Sequence, residues 1–194
     1  MLTTTMLPPQ ARKAFHRLEQ FKRPWFVAGG WALDLFLGRI TRDHSDFEIA
    51  LFREDQLELQ RILKGWRLEL ATQEGRRIWM PNEWLELPFY ELHTYDSENN
   101  HVEFLLNEKS NSDWVFRRNK AIKREISALS MYTDEGIPFL GPEIVLLYKA
   151  KEGRDHDELD MRQARDHLGG SRRQWLYHAL RVHLPDHPWI FQLQ

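Results

Sequence analysis

The 194-residue sequence contains no cysteine, and this absence excludes several kinds of chemistry. Without a thiol the chain can form no disulfide, carry no thiolate nucleophile and hold no zinc through cysteine. A chain without cysteine also fits the reducing cytoplasm, where we expect the protein to work.

Long apolar runs are missing as well. No apolar stretch approaches the roughly 18 residues that a transmembrane helix needs, so no membrane span is expected. The first ten residues read MLTTTMLPPQ and have neither a positively charged segment nor a long apolar core. This pattern predicts no signal peptide.

The sequence also lacks an excess of charge of either sign. Its formal net charge is −2, so there is no overall basic field that would hold a nucleic acid, and no nucleic-acid partner is expected. The apolar share of 42% and the charged share of 29% are ordinary for a globular protein. The length suits one substantial domain, or one domain with a small appendage.

Hydrophobic periodicity divides the sequence into an α/β part and a helical part. Short apolar or alternating segments at 25–28 and 46–52 predict strands, and a β-like pattern follows from 66 to 126. The fold class expected from this pattern is α/β (α+β) with a C-terminal helical region. The two predicted parts are 1–130, the α/β body, and 140–194, the helical subdomain.

The most informative segment runs from Trp25 to Phe52 and reads WFVAGGWALDLFLGRITRDHSDFEIALF. An apolar strand-like run ends at Gly29-Gly30, and a short helical pattern follows. Glycine lets backbone N–H groups approach an anion closely, and the N-terminus of a helix adds a favourable dipole. A Gly-Gly pair is equally compatible with a plain turn between a strand and a helix.

Two acids follow at the spacing of a strand. Asp46 and Glu48 would project from one face, while Phe47 and Ile49 would point to the other. Mg²⁺ takes oxygen ligands, commonly one or two carboxylates together with substrate phosphates, so this pair suits one ion or two neighbouring ions. An acid pair of this kind is on its own more often a solvated strand face, so its meaning depends on the surrounding motif.

Together with its neighbours, the segment resembles the signature of the nucleotidyltransferase superfamily, which has the polymerase-beta-like fold. In that signature a glycine turn and a short helix ending in glycine precede an Arg-x-His-x-acid-x-acid element. The matching positions are Gly29, Gly30, Gly38, Arg42, His44, Asp46 and Glu48. One position departs from the pattern, because the superfamily more often has aspartate where this chain has Glu48.

Within the superfamily, the chain is most similar to the branch of aminoglycoside and lincosamide adenylyltransferases. Four later segments resemble this branch in the same order: HVEFLLNE (101–108), WVFRRNKAIKRE (114–125), GIPFLGPEIVLLYKAK (136–151) and HDELDM (156–161). The resemblance implies a nucleotidyltransferase fold, with a mixed sheet flanked by helices. It also implies a small hydroxylated acceptor, such as an aminoglycoside-like molecule.

A two-metal site for phosphoryl transfer usually needs a third carboxylate, which ligates metal and accepts the proton of the attacking hydroxyl. Glu103 is the candidate, because strand alternation sets it opposite the apolar Val102 and Phe104 and the resemblance implies an acid here. The alternative is a surface acid on an edge strand. In that case Glu91 or Asp96 would take its place.

Cations are expected beside the phosphates of the nucleotide. Arg42 and His44 are candidates for contacting phosphate or orienting Asp46, although a structural, hydrogen-bonded role for His44 is equally compatible with the sequence. Of the lysines that follow in the C-terminal region, Lys149 is the one expected to reach the triphosphate. The acids between 155 and 160 form either a rim for a cationic acceptor or a solvated helix face.

These expectations combine into an Mg²⁺-dependent nucleotidyltransferase with a two-metal site. It would transfer a nucleoside monophosphate, AMP from ATP or that of another NTP, to a hydroxyl of a small molecule. The expected metal and catalytic residues are Asp46, Glu48 and Glu103, and the expected nucleotide-binding residues are Gly29, Gly30, Arg42, His44 and Lys149. Two alternatives stay open: a toxin-type enzyme that modifies a macromolecule, and a non-catalytic protein of the same fold.

Overall fold

A computed structural model describes residues 7–194 of the protein. The first six residues, which belong to the segment where no signal peptide is predicted, lie outside the described residues. In the described part, no helix combines the length and the apolar character that crossing a membrane requires.

The secondary structure alternates helices and short strands and then becomes helical after residue 141. The α-helices of the described residues are α1 (Pro9–Leu18), α2 (Gly29–Leu37), α3 (Gln56–Ile62), α4 (Pro142–Lys149), α5 (Asp155–Ala164), α6 (Gly170–His183) and α7 (Trp189–Gln192). The strands are β1 (Trp25–Val27), β2 (Glu48–Phe52), β3 (Arg67–Thr72), β4 (Gly75–Ile78), β5 (Glu91–Tyr95), β6 (His101–Ser110), β7 (Asp113–Val115), β8 (Lys123–Glu125), β9 (Ser130–Tyr132) and β10 (Pro138–Leu140).

These strands form one mixed sheet in the order β4-β3-β5-β6-β2-β1-β10-β9, and β7 and β8 extend it beyond the C-terminal half of β6. Strand β2 runs parallel to β6, and β1 runs parallel to β10, while the other pairs are antiparallel. With helices packed against the sheet, this arrangement confirms the predicted α/β (α+β) class.

The register of the central strands is set by burial of one face. Phe47, Ile49, Val102 and Phe104 are fully buried, and helix α1 covers this face through contacts such as the ring of Phe15 on the ring of Phe47. Burying a side chain of this size stabilises the fold by about 1.5–3 kcal/mol. A shift of a strand by one residue would exchange the side chains on its two faces. Burial of these apolar residues therefore also determines which acids lie on the opposite face of the sheet.

Strand β2 is shorter than the sequence predicts. It begins at Glu48, and Asp46 lies in the preceding loop, because the ladder to β6 starts where the N–H of Glu103 donates to the carbonyl of Phe47 at 2.9 Å. Helix α2 begins at Gly29, earlier than its apolar pattern predicts, and it ends as predicted at Gly38, which has φ +69°.

The strands β9 and β10 connect the two predicted parts of the chain. They lie between 130 and 140, and β10 pairs with β1 in the centre of the fold, so these residues complete the sheet. Helix α4 starts with Pro142 in its first turn, where proline is favoured, and packs against α2 and α6. The division into a catalytic domain of 1–130 and a helical subdomain of 140–194 stays a prediction.

Candidate active site

The Gly29-Gly30 turn brings the backbone of α2 directly against an acid. Gly29 has φ +59°, and a Cβ atom built on it would overlap the carboxylate of Glu48. A Cβ on Gly30 would in turn overlap the imidazole ring of His44. The glycines therefore leave room for two side chains at the N-terminal end of α2, and any larger residue would displace them.

Two of the predicted acids are neighbours across the sheet. Glu48 at the start of β2 and Glu103 on β6 are paired residues of adjacent parallel strands, so their side chains leave the same face. On the other side of Glu103, His93 of β5 is its paired residue. Asp46 lies in the loop just before Glu48, with its Oδ1 atom 3.8 Å from Nδ1 of His101.

The acids affect one another's protonation. Burial, followed by the charges of Asp46, Glu48 and Glu91, raises the pKa of Glu103 to about 7. Burial also raises the pKa of Glu48, against the favourable charge of Lys149. A group of partly buried carboxylates that repel one another is stabilised by a cation, and a donor set of oxygens is what Mg²⁺ prefers. The residues therefore fit a magnesium site.

A cavity of about 300 Å³ opens next to these acids. Gly29, Glu48, Arg117 and Tyr148 contribute to its wall. Its wall also includes Lys149 and three further charged residues, Arg118, Glu152 and Arg154. Positive and negative side chains thus lie together in the wall of a space large enough for part of a small ligand.

Lys149 lies in this wall but is not a free cation. Its ammonium group is buried and contacts Asp157 at 2.8 Å and Asp160 at 2.9 Å. Asp160 also accepts two hydrogen bonds from the guanidinium of Arg42, at 3.1 and 3.0 Å, and Asp157 accepts one from Arg154 at 2.9 Å. This network ties the loop before β2 to helices α4 and α5.

Three of the four acids of α5 therefore form neither an acceptor rim nor a solvated face, and only Asp155 is exposed. Asp157 and Asp160 are buried, and Glu158 accepts hydrogen bonds from the indole N–H of Trp189 at 2.8 and 2.9 Å. The more exposed acids at the cavity are Glu91 and Glu152, whose side chains are 44% and 43% exposed.

His44 has the structural environment that the sequence left open as an alternative. Its Nε2 atom lies 2.6 Å from Oδ2 of Asp34, a fully buried acid of α2. The other oxygen of Asp34 accepts hydrogen bonds from the backbone N–H and the hydroxyl of Thr41, at 3.1 and 2.5 Å. His44 and Asp34 thus hold the loop that carries Asp46 against the helix.

Several residues of the site were missing from the sequence-based prediction. Asp34 could have been identified from the sequence, because it is an acid within an otherwise apolar helical run. Nothing in the sequence marks Arg154 or Tyr148 except that both lie near Lys149. His93 is brought to the site by the pairing of β5 with β6. Asp96, one of the substitute acids, instead binds Lys13 at 2.9 Å and the turn at Asn100.

Solved structures share this architecture. The lincosamide antibiotic adenylyltransferase LnuA, with lincomycin bound, superimposes with a TM-score of 0.57 at 16% identity, over 81% of this chain and 95% of that chain. ANT(2'')-Ia in complex with adenylyl-2''-tobramycin gives a TM-score of 0.60 at 18% identity, over 89% and 95% of the two chains. The solution structure of ANT(2'')-Ia gives 0.59 at 18% identity, over 89% of each chain. The fold is therefore that of the nucleotidyltransferases, which confirms the predicted fold.

Sequence comparison then identifies the family of the chain within the nucleotidyltransferases. The profile of the aminoglycoside-2''-adenylyltransferase family matches residues 11–164, most of the chain, and the protein belongs to this family. Both the predicted branch and the predicted enzyme class, a nucleotidyltransferase, are confirmed at the level of the family. Two 2''-aminoglycoside nucleotidyltransferases, from Escherichia coli and Klebsiella pneumoniae, are each 42% identical over 41 residues. That alignment covers 21% of this chain and spans less than a quarter, 23%, of each relative.

Proposed function

We propose that the protein transfers AMP from ATP to a hydroxyl group of a small, cationic, aminoglycoside-like molecule, and that it does so in the cytoplasm with Mg²⁺. The observation that carries the proposal is the pairing of Glu48 with Glu103, beside Asp46, with Glu48 in the wall of a cavity that also includes four cationic side chains. Membership of the aminoglycoside-2''-adenylyltransferase family supports it.

Asp46, Glu48 and Glu103 are the residues that would hold one or two magnesium ions. Their carboxylates supply the oxygen donors, and Gly29 keeps the carboxylate of Glu48 in place. When bound, Mg²⁺ neutralises phosphate charge and polarises the phosphoryl group. The longer side chain of Glu48, compared with the aspartate that is usual in the superfamily, is accommodated because residue 29 has no side chain.

The nucleotide would place its triphosphate at the start of α2. Backbone N–H groups at Gly29 and Gly30 are free to approach it, since neither residue has a side chain in the way, and the helix dipole favours the charge. Arg154 and Lys149 lie in the cavity wall, but both pair with Asp157, so each would have to share this acidic partner with the nucleotide. The phosphate contacts proposed for Arg42 and His44 require these side chains to exchange their present acidic partners for the nucleotide.

The chemical step is an in-line displacement. The acceptor oxygen attacks the α-phosphorus, the bond from that phosphorus to the bridging oxygen breaks, and pyrophosphate leaves. The proton of the acceptor hydroxyl passes to the carboxylate of Glu103, which lies beside Glu48 on the same face of the sheet and would act as the general base. Fixed charges and close positioning supply most of the rate enhancement, as is usual for phosphoryl transfer.

The acceptor would enter from the side of Glu91 and Glu152, whose carboxylates attract ammonium groups. Two related structures hold an antibiotic or its nucleotidylated product, lincomycin in one and adenylyl-2''-tobramycin in the other. Lincomycin, unmodified tobramycin, and other aminoglycosides and lincosamides are therefore the acceptors to screen.

Pyrophosphate release in the presence of ATP, Mg²⁺ and each acceptor tests the proposal. The Asp46→Asn variant should lose at least about 100-fold in turnover, because it removes a charged ligand of the proposed magnesium site. Asp43→Asn, an exposed acid in the same loop, is the matched control and should react as the wild type does. Full activity of Asp46→Asn, or no release with any acceptor despite ATP binding in a thermal-shift assay, would refute the proposal.

A further inference from the structure

Two imidazoles and one carboxylate converge beside the proposed magnesium acids. The Nδ1 atom of His93 lies 3.1 Å from Nε2 of His101 and 3.2 Å from Oε1 of Glu103. The Nε2 atom of His101 lies 3.8 Å from the same carboxylate oxygen. Among the described residues, these three side chains form a group whose donor atoms all lie within 4.8 Å of one another.

The sheet itself holds the three side chains together. His93 on β5 is paired with Glu103 on β6, and His101 precedes Glu103 by two residues, so all three project from one face. The ring of His101 also stacks on that of its paired residue, Tyr95, with centroids 4.8 Å apart. Because strands and not a loop set these positions, little conformational entropy would be lost when the donors take up a ligand.

We propose that His93, His101 and Glu103 form a binding site for a divalent transition-metal ion, with Zn²⁺ as its best-fitting representative. Zinc ligands at about 2.0–2.2 Å in a tetrahedron lie roughly 3.3–3.6 Å from one another. The three distances, 3.1, 3.2 and 3.8 Å, bracket this value. Two imidazoles with one carboxylate are also a donor set that zinc uses, whereas Mg²⁺ prefers oxygen donors alone.

The fourth position of such a site is open to solvent. The side chains of His93, Glu103 and His101 are 9%, 16% and 24% exposed, so the donor atoms lie at the edge of the buried region. Water, or a donor atom of a small molecule, can complete the coordination. Three protein ligands with one exchangeable position are typical of zinc sites that are not purely structural.

Glu103 belongs to both the zinc site and the proposed magnesium site. Zinc should therefore affect activity, an expectation that rests on the proposed function. A zinc ion held by the histidines takes the carboxylate that the magnesium site and the proton transfer require. Zinc should therefore inhibit nucleotide transfer in competition with Mg²⁺. Zinc binding itself does not depend on the reaction and is measured without nucleotide or acceptor.

Calorimetric titration of the metal-free, full-length protein with zinc chloride alone tests the site. We expect one Zn²⁺ per chain, and we expect Co²⁺ to give the visible absorption of tetrahedral cobalt. His93→Asn and His101→Gln each keep a polar atom near the lost nitrogen, and each should weaken zinc affinity by about 100-fold or more, because loss of even a residue that only supports a ligand costs about 10–100-fold. The affinity for Mg²⁺ should change far less in these variants.

Two further variants make the test specific. His16→Gln removes an exposed histidine that lies 3.4 Å from Glu19, and it should bind zinc as the wild type does. Glu103→Gln should weaken both zinc and magnesium. Circular dichroism of each variant verifies the fold. Unchanged zinc affinity in the two histidine variants, or an octahedral cobalt spectrum, would overturn the proposal, whereas a failed transfer assay would not affect it.

Discussion

The carboxylate of Glu48 occupies the space where a side chain at residue 29 would begin. A Cβ on Gly29 would overlap this carboxylate, and the backbone of Gly29 is in the left-handed region with φ +59°. Two separate requirements, close approach and conformation, thus select glycine here. The close approach affects the position of Glu48 in the proposed metal site, whereas the left-handed conformation affects only the stability of the fold. The two requirements can therefore be separated by experiment.

Gly29→Ala should therefore abolish most of the magnesium binding and turnover while costing only about 1–2 kcal/mol of stability. Moving a reacting group by about 1 Å can cost on the order of 100-fold in rate. Gly136→Ala is the matched control, because Gly136 has φ +80° and no atom within 4 Å of its would-be Cβ. Urea unfolding and pyrophosphate release measure the two effects, and equal loss of activity in both variants would contradict the idea.

The raised pKa of Glu103 predicts how stability depends on pH in the metal-free protein. Burial and the neighbouring acids raise this pKa from 4.5 to about 7, so between these pH values the folded protein keeps a proton that the unfolded chain has released. The contribution of Glu103 to stability therefore falls as the pH rises through this window, and comparison with Glu103→Gln isolates it from other titrating groups. At pH 8, Glu103→Gln should melt about 2–4 °C above the wild type, and the difference should vanish towards pH 4.5.

Thermal melts in a chelator measure this difference, and a pH-independent difference would contradict it. Added Mg²⁺ should reverse the order, because it stabilises the wild type and not Glu103→Gln. The wild-type affinity for Mg²⁺ should also weaken below about pH 7, since the ion must then displace the proton of Glu103.

The buried acid Asp157 should be essential for stability. It contacts both Lys149 and Arg154, so Asp157→Asn leaves a buried ammonium group with only Asp160 as its acidic partner. We expect a loss of about 3–5 kcal/mol in the free energy of unfolding, as for other broken buried ion pairs. Asp155→Asn, an exposed acid of the same helix, should cost less than about 1 kcal/mol in the same urea titration.

Glu91 is expected to contribute to binding of the acceptor. Its exposed carboxylate lies in the cavity wall, 3.8 Å from Arg117, and would attract an ammonium group. Glu91→Gln should raise the KM for a cationic acceptor about 3–5-fold, as an exposed ion pair of up to about 1 kcal/mol predicts. The KM for ATP should not change. Glu86→Gln, an exposed acid that is not among the residues lining the cavity, should leave both constants unaltered.

Part of the site was predictable because its signals are local in sequence. Gly29-Gly30, Asp46 and Glu48 lie within 20 residues of one another, and alternation along a strand shows that Glu48 and Glu103 face away from the core. The partners of Lys149 were not predictable in this way. Acids in a charged run are usually solvated, and burial of Asp157 and Asp160 depends on how α5 packs against α4 and α2.

The sequence alone determined that an apolar strand, a glycine turn and an acid pair occur in this order, because hydrophobic periodicity and glycine's conformational freedom are local properties. Only the tertiary structure decided that Glu48, Glu103 and His93 lie in one row across three strands. The pairing of Glu48 with Glu103 depends on the register of two strands that are 55 residues apart in sequence, since 103 − 48 = 55. That register is selected by burial of the opposite face of the sheet, to which residues throughout the core contribute.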